Sequence, residues 1–422
     1  MKQFSPALLL TFTALSILLS ACDSELRVVE PDTSVLRELD GTRPLTRRAG
    51  ACVEGVYRVL RGSDRVGDTV VIKSSTATLS MFCAKNFMYA ILDCGLGDST
   101  LSAAGYWRNA HSPQTGLCVM RMAAHEGGIA VASEQRPDAI TLRGSLGTDT
   151  DPRGDSLVLE YVRPLHQGQT DFAILAHRGG GRNSDRLPHS ENSVELIRVA
   201  EKYGATGVEI DVRLTKDGVP VLYHDENFNT RLVNGEYMVG PIGNYTYAQI
   251  QTFCRLVNGE RLPTLQEALR VIADSTQLRT VWLDVKEAAS VEQIIALQQD
   301  ALARARALNA KGLRDTLEVL FGLASTDVYN RFVAQPNFSS VPSVCELGVD
   351  QTHTAASRVY GSRWTLGTMR ETVQSLHARG TRAFVWTLDA DEFITRFLSE
   401  GSFDGMLTNY PTLVAYYYYT QP

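Results

Sequence analysis

The sequence predicts an α/β protein built on a TIM (β/α)8 barrel over residues 168–422, preceded by a smaller all-β, disulfide-containing domain over residues 49–165. Three observations lead there. At 422 residues the chain is too long for one ordinary hydrophobic core. From residue 168 onward, short apolar runs alternate with helical periodicity, and eight such runs match that barrel in count and length. Between 49 and 165, short apolar runs recur at roughly ten-residue spacing with Gly, Asp and Ser clusters between them, the rhythm of a β-sandwich or β-barrel.

Residues 1–22 read as a targeting segment rather than as fold. Lys2 gives a positive start, and Ala7 to Leu19 is an apolar run of signal-peptide length, short for a membrane span. The run ends in Leu19-Ser20-Ala21-Cys22, which resembles a bacterial lipobox. The resemblance implies cleavage before Cys22 and a lipid on that cysteine, hence an exported lipoprotein of the bacterial cell envelope. An ordinary secretory signal cut near Ala21 would export the chain equally. Residues 23–48 are charged with little periodicity and read as a linker. Beyond Cys22 six cysteines remain: Cys52, Cys83, Cys94, Cys118, Cys254 and Cys345. An even set in an oxidising compartment reads as disulfides, with the pairing open. A zinc site is the weaker reading, because no CxxC pair occurs. The net charge of -6 gives no support for nucleic-acid binding.

The β-rich segment is expected to carry strands at Thr69–Ile72, Phe87–Leu92, Leu117–Met122, Gly128–Ala132, Ala139–Leu142 and Ser156–Tyr161. It holds no motif that carries chemistry. In the second half, apolar runs begin at Ala173, Gly207, Pro220, Val281, Leu317, Val341, Arg382 and Gly405. Helical patterns lie between them, notably at 191–203, from Leu265, at 290–310, at 326–334, at 368–379 and at 391–399, and Pro411 opens a last helix.

The chemistry gathers at the ends of these runs. His177 closes the first, followed by Arg178 and a glycine-rich turn, and His224 closes the third. Glu209 and Asp211 are two apart on the second, so both point to one face. An acidic pair inside an apolar strand is costly unless a positive group sits between, and a divalent cation is the cheapest such partner. Asp284, Lys286 and Trp386 stand at further strand ends, where a (β/α)8 barrel places its catalytic groups. Taken singly, a strand-end histidine is more often a surface residue and a buried carboxylate more often salt-bridged. Four such residues beside a glycine-rich turn favour a site.

These residues resemble the glycerophosphodiester phosphodiesterase family. The match runs in order through His177-Arg178-Gly179, Glu191-Asn192-Ser193, Glu209-Ile210-Asp211, Thr215 to Gly218 and His224-Asp225. It continues through Leu262 to Leu265, Asp284-Val285-Lys286, Trp386-Thr387 and Asp404-Gly405 to Tyr410-Pro411. It implies a TIM barrel with a small insertion after the third strand. It also implies a calcium or magnesium ion held at Glu209, Asp211 and Asp284, with His177 and His224 as the acid/base pair. Two positions depart from the pattern. Asp284 stands where the family usually has Glu, and Asn409 where it commonly has Asp, the latter a position read as more structural than catalytic.

The expected reaction is metal-dependent hydrolysis of glycerophosphodiesters to sn-glycerol 3-phosphate and an alcohol. Arg178 and Lys286 would offset phosphate charge, Trp386 would wall the substrate pocket, and Glu191 would orient the first histidine or a ligand. An N-terminal helix charge, capped by Ser190, is the plainer reading of Glu191, and a barrel-core aromatic that of Trp386. Two other readings stand beside this one: a lysophospholipase D or phospholipase acting on membrane lipids, and a non-catalytic barrel that only binds.

Overall fold

The computed structural model describes residues 30–168, 171–234 and 238–422, so the targeting segment and its Cys22 lie outside the described residues. No helix among those described is long and apolar enough to cross a membrane.

The first half closes into an eight-stranded antiparallel barrel. A short strand β1 (Arg43–Pro44) is followed by β2 (Gly55–Arg61), β3 (Thr69–Ser75), β4 (Thr78–Phe82), β5 (Met88–Leu96), β6 (Leu101–Asn109), β7 (Thr115–Met122), β8 (Thr141–Leu146) and β9 (Asp155–Arg163). Each of β2–β9 pairs with the next, and β9 returns to β2, so the up-and-down barrel has no free edge. Side chains fill its interior, among them Tyr57, Met81, Met88, Leu92, Trp107 and Met120. Part of the expected linker belongs to this unit: β1 pairs with the end of β5, and Leu45 is buried in the barrel core. Gly128–Ala132, expected as a strand, is one short helix. Its apolar Ile129 is exposed while Gly128, Val131 and Ala132 are buried, so no sheet face claims it.

The disulfide expectation is corrected. All six cysteines among the described residues are free and buried. Cys52, Cys83, Cys94 and Cys118 act as small apolar side chains in the first barrel's core, where burial pushes their thiols up. Cys254 and Cys345 sit in two different apolar clusters of the second half, which keeps them from pairing.

The second half is a closed parallel (β/α)8 barrel. Its strands are β10 (Ala173–Ala176), β11 (Gly207–Leu214), β13 (Thr280–Val285), β14 (Glu318–Leu323), β15 (Ser343–Cys345), β16 (Val359–Arg363), β17 (Arg382–Trp386) and β18 (Gly405–Thr408). The ring closes through β10, which pairs with both β11 and β18. Leu175, Trp282, Leu320, Val344, Val359, Phe384 and Leu407 fill its interior. The expected total of eight strands is right, but one member differs. The run at Pro220 forms β12 (Pro220–Leu222), which lies antiparallel on β11 outside the barrel ring. The true sixth strand is β16, whose Val359 and Tyr360 are buried. The insertion therefore falls between the second and third barrel strands, where it folds around its own cluster of Tyr223, Phe228, Ile250 and Leu256.

The two barrels share an apolar seam. Val71, Phe82 and Tyr89 of the first pack with Leu196, Tyr203, Leu413 and Val414 of the second. Arg108 at the end of β6 crosses the seam. It is 1% exposed, and its guanidinium donates to the backbone oxygens of Asp185 (2.8 Å) and Arg186.

Candidate active site

The C-terminal mouth of the second barrel gathers three carboxylates. Glu209 and Asp211 lie two apart on β11, and Asp284 pairs in register with Asp211 from the neighbouring β13. One oxygen from each lies within 4.8 Å of the others. Glu209 and Asp211 are almost fully buried. In each carboxylate one oxygen is tied down and the other is left over. Glu209 Oε2 accepts the Arg178 backbone N–H at 2.9 Å, Asp211 Oδ2 accepts Asn192 Nδ2 at 2.8 Å, and Asp284 Oδ2 accepts Lys286 Nζ. Among the described residues Glu209 Oε1 and Asp284 Oδ1 have no hydrogen-bond partner, and Asp211 Oδ1 faces Lys286 Nζ at 2.8 Å without the alignment of a hydrogen bond.

Charge follows the same geometry. Burial pushes the Glu209 carboxyl well above the usual carboxylate range, and repulsion from Asp211 and Asp284 adds to it. Burial acts on Asp211 in the same sense, but the Lys286 ammonium and the two histidines outweigh it and hold Asp211 well below that range. With all three ionised, as a bound cation would hold them, the carboxylates against one ammonium leave two negative charges, the complement of a divalent cation. Buried unpaired oxygens and an all-oxygen donor set fit calcium or magnesium.

Both histidines border this cluster. His177 follows β10, and its Nε2 lies 3.7 Å from Glu209 Oε2. Burial, then the neighbouring Arg178 charge, lowers it from the usual imidazole value. Its Nδ1 is 2.7 Å from Asn409 Oδ1. Arg178 takes a left-handed backbone (φ 53°), which turns its N–H onto Glu209. Gly179 (φ 83°) continues the turn where an added Cβ would meet Ile197 at 3.0 Å. His224 follows β12 and pairs through Nδ1 with Asp225 Oδ1 at 2.6 Å. His224, Arg231 and Asn229 hold the Asp225 carboxyl at about 2 although burial alone would raise it.

Two further expected groups, Glu191 and Trp386, have these surroundings. Glu191 is 2% exposed and accepts from Arg178 (2.7 Å), from Arg231 (3.0 Å) and from the Asn183 backbone (2.8 Å). It orients Arg178 and does not touch His177. The adjoining helix is Val194–Val199 with Ser193 as N-cap, so neither Ser190 nor Glu191 caps it. Trp386, at the end of β17, packs on the barrel-interior cluster, and the Arg363 guanidinium lies over its ring at 4.8 Å.

Two participants, Glu346 and Asp389, escape a reading by sequence motif, and Asn192 and Asn409 stand in motifs that do not show what they touch. Asn192 (φ 61°) clasps Asp211 through both its amide atoms. Glu346, one residue past β15, faces Asp284 and Lys286; burial and the Asp284 charge push its carboxyl up to about 8. Asp389, beyond β17, accepts from Asn409, and Asn409 reaches His177. The position read as more structural than catalytic thus touches a candidate acid/base group.

Residues 177–413, more than half of the chain, match the Glycerophosphoryl diester phosphodiesterase family. The chain belongs to that family. A glycerophosphodiester phosphodiesterase of Caldanaerobacter subterraneus is 27% identical over 253 residues, which are 56% of this chain and 94% of that protein. The human glycerophosphodiester phosphodiesterase 1 is 36% identical over 136 residues, 30% of this chain and 37% of its own length. Among solved structures, a glycerophosphodiester phosphodiesterase of Parabacteroides distasonis covers 58% of this chain and 95% of its own at 22% identity, with a TM-score of 0.45. The family match and the relatives that share it make the second barrel an enzyme of the phosphodiesterase class.

Proposed function

We propose that the protein hydrolyses glycerophosphodiesters to sn-glycerol 3-phosphate and an alcohol, with His177 and His224 as the acid/base pair. The observation that carries this is the carboxylate cluster with unpaired buried oxygens, bordered by both histidines at the barrel mouth. The relative matched over nearly its full length bears the name of that activity.

A calcium or magnesium ion held by Glu209, Asp211 and Asp284 would supply charge stabilisation for a phosphoryl group whose negative charge grows on attack. The chain's own cations add to it. Lys286 stands as a point charge beside the cluster, and Arg178 spends one of its five donors on Glu191, leaving others to turn to phosphate oxygens. One imidazole takes the proton of the attacking oxygen, whether of water or of the glycerol 2-hydroxyl. The other hands a proton to the leaving alkoxide. Trp386 contributes the apolar wall of the substrate pocket.

The protein is further read as an exported lipoprotein of the bacterial envelope, anchored through Cys22, with the second barrel as the catalytic domain and the first without an assigned chemistry. Export rests on Lys2, the Ala7–Leu19 run and the lipobox-like end alone, since the free cysteines no longer support it.

The test is release of glycerol 3-phosphate from glycerophosphocholine by the detergent-purified protein, in EDTA and then with calcium or magnesium restored. Activity lost in EDTA and regained with one metal is expected. Cleavage of lysophospholipid but not of glycerophosphocholine would move the substrate to membrane lipids, and silence on both would leave a binding module.

A further inference from the structure

We propose that Asn409 is the positioning residue of His177, and that Asp389 fixes Asn409 so that the imidazole carries its proton on Nδ1 and keeps Nε2 free toward the carboxylate cluster. The proposal rests on the functional reading above only for the part that concerns turnover.

Asn409 is 5% exposed and lies just beyond β18. Its Nδ2 donates to Asp389 Oδ2 at 2.6 Å, and its backbone N–H donates to Asp389 Oδ1 at 2.9 Å. Thr408 Oγ1 donates to the same Oδ1 at 3.2 Å. An ionised carboxylate only accepts, so the NH2 end of the Asn409 amide must face Asp389. The amide oxygen is thereby turned to His177, 2.7 Å from Nδ1. An amide oxygen cannot donate, so the ring must, and Nδ1 carries the hydrogen. In the neutral ring Nε2 is then a bare lone pair. It looks toward Glu209 Oε2 at 3.7 Å, beyond hydrogen-bond distance and on the side of the cluster.

The order of dependence matters. Without Asp389, the Asn409 amide is free to turn over and present NH2 to the ring, which selects the opposite tautomer and puts a hydrogen on Nε2. Asp389 therefore acts on His177 at one remove, from a different strand end. His177 and Asn409 themselves follow β10 and β18, which pair directly, so the hydrogen bond sits across a fixed backbone register. His224 is held by another device, a direct contact with the Asp225 carboxylate.

The proposal is tested first without turnover. In protein labelled with 15N-histidine, the ring nitrogens of His177, assigned by their loss in H177A, should report Nδ1–H in the wild type. N409L should lose that preference. In kinetics, N409L should lower kcat by about 10–100-fold, the range for groups that orient a site residue, with KM little changed. N409D places two carboxylates against each other and D389N leaves the pair without a fixed orientation, so both should be impaired. The double variant N409D/D389N restores an acceptor toward His177 and a donor toward that acceptor, and should recover most of the lost turnover and the Nδ1–H signal. A wild-type ring protonated on Nε2 overturns the proposal whatever the activity. So does N409L with wild-type kcat, or a double variant no better than the worse single one. If no glycerophosphodiester is turned over by any form, the functional reading fails while the nitrogen spectrum still decides this one.

Discussion

Removing divalent cations should lower the thermal stability of the second barrel. With all three ionised, Glu209, Asp211 and Asp284 bring three negative charges into one cluster, and Lys286 offsets one, leaving two for a cation to balance. A ligand that binds only the folded state stabilises it by RT ln(1 + [L]/Kd), about 2.7 kcal/mol at a hundredfold excess over Kd. At roughly 2–4 °C per kcal/mol for a domain of this size, saturating magnesium or calcium should raise Tm by about 5–11 °C over EDTA. The companion perturbation is Glu209→Gln, which keeps shape and removes one charge. It should abolish most of the metal-dependent rise. In EDTA it should melt no lower than the wild type, because burial and its two neighbours already push the Glu209 carboxyl toward its neutral form. Differential scanning calorimetry on both proteins, in EDTA and over a metal titration, reads all four values. An unchanged wild-type Tm on adding either metal would refute the cluster as a cation site, and so would an equal rise in the Glu209→Gln protein.

Three further outcomes are expected. His177→Ala and His224→Ala should fold with wild-type circular dichroism and lose turnover by about 10²–10⁴-fold, the contribution of a positioned acid or base, checked by single-substrate kinetics. Asp225, held at about 2 in the folded chain against about 3.9 unfolded, contributes stability that is present above pH ~4 and lost as pH falls through ~2; Asp225→Asn should flatten that acid limb in melts between those values. With no disulfide to reduce, dithiothreitol should leave Tm unchanged, and denatured protein should react with thiol reagent at Cys52, Cys83, Cys94, Cys118, Cys254 and Cys345 without prior reduction.

Most of the candidate site was legible because its residues stand at the ends of apolar runs, and a strand end is a local feature. Glu209 and Asp211 declare a shared face by their spacing, and Asp284 with Lys286 repeats it. What remained hidden depends on pairing, which periodicity does not encode. The run at Pro220 alternates like a barrel strand, but its proximity to β11 across the Asp217-Gly218 turn makes it an antiparallel partner instead. The stretch Val359–Arg363 is short and ends in Ser and Arg, so its pattern is weak, and only its pairing between β15 and β17 makes it a strand. The contact of His177 with Asn409 spans 232 residues and exists because the barrel closes β10 against β18. Cysteine parity misled for a different reason: a thiol inside a packed barrel is used as a small apolar group, and its number carries no information about pairing.

The closing of one barrel on the other gives the first a mechanical part in the site. Arg108 donates to the backbone oxygens of Asp185 and Arg186, in the loop that follows His177. The Asp185 side chain in turn accepts Tyr410 Oη at 2.9 Å, and Tyr410 is the residue after Asn409. The first barrel thus grips, through one buried side chain, the two loops whose hydrogen bond orients His177. Arg108→Ala would leave two carbonyls at the seam without their donor, at about 1–3 kcal/mol each. Stability should fall by that order. If the grip also orients the loops, kcat should drop more than KM changes, while Arg58→Ala, an exposed residue of the same barrel paired with Glu160, should leave both near wild type. Kinetics well below the melting temperature of each variant separate orientation from unfolding. A folded Arg108→Ala protein with wild-type kcat would show that the seam carries stability alone.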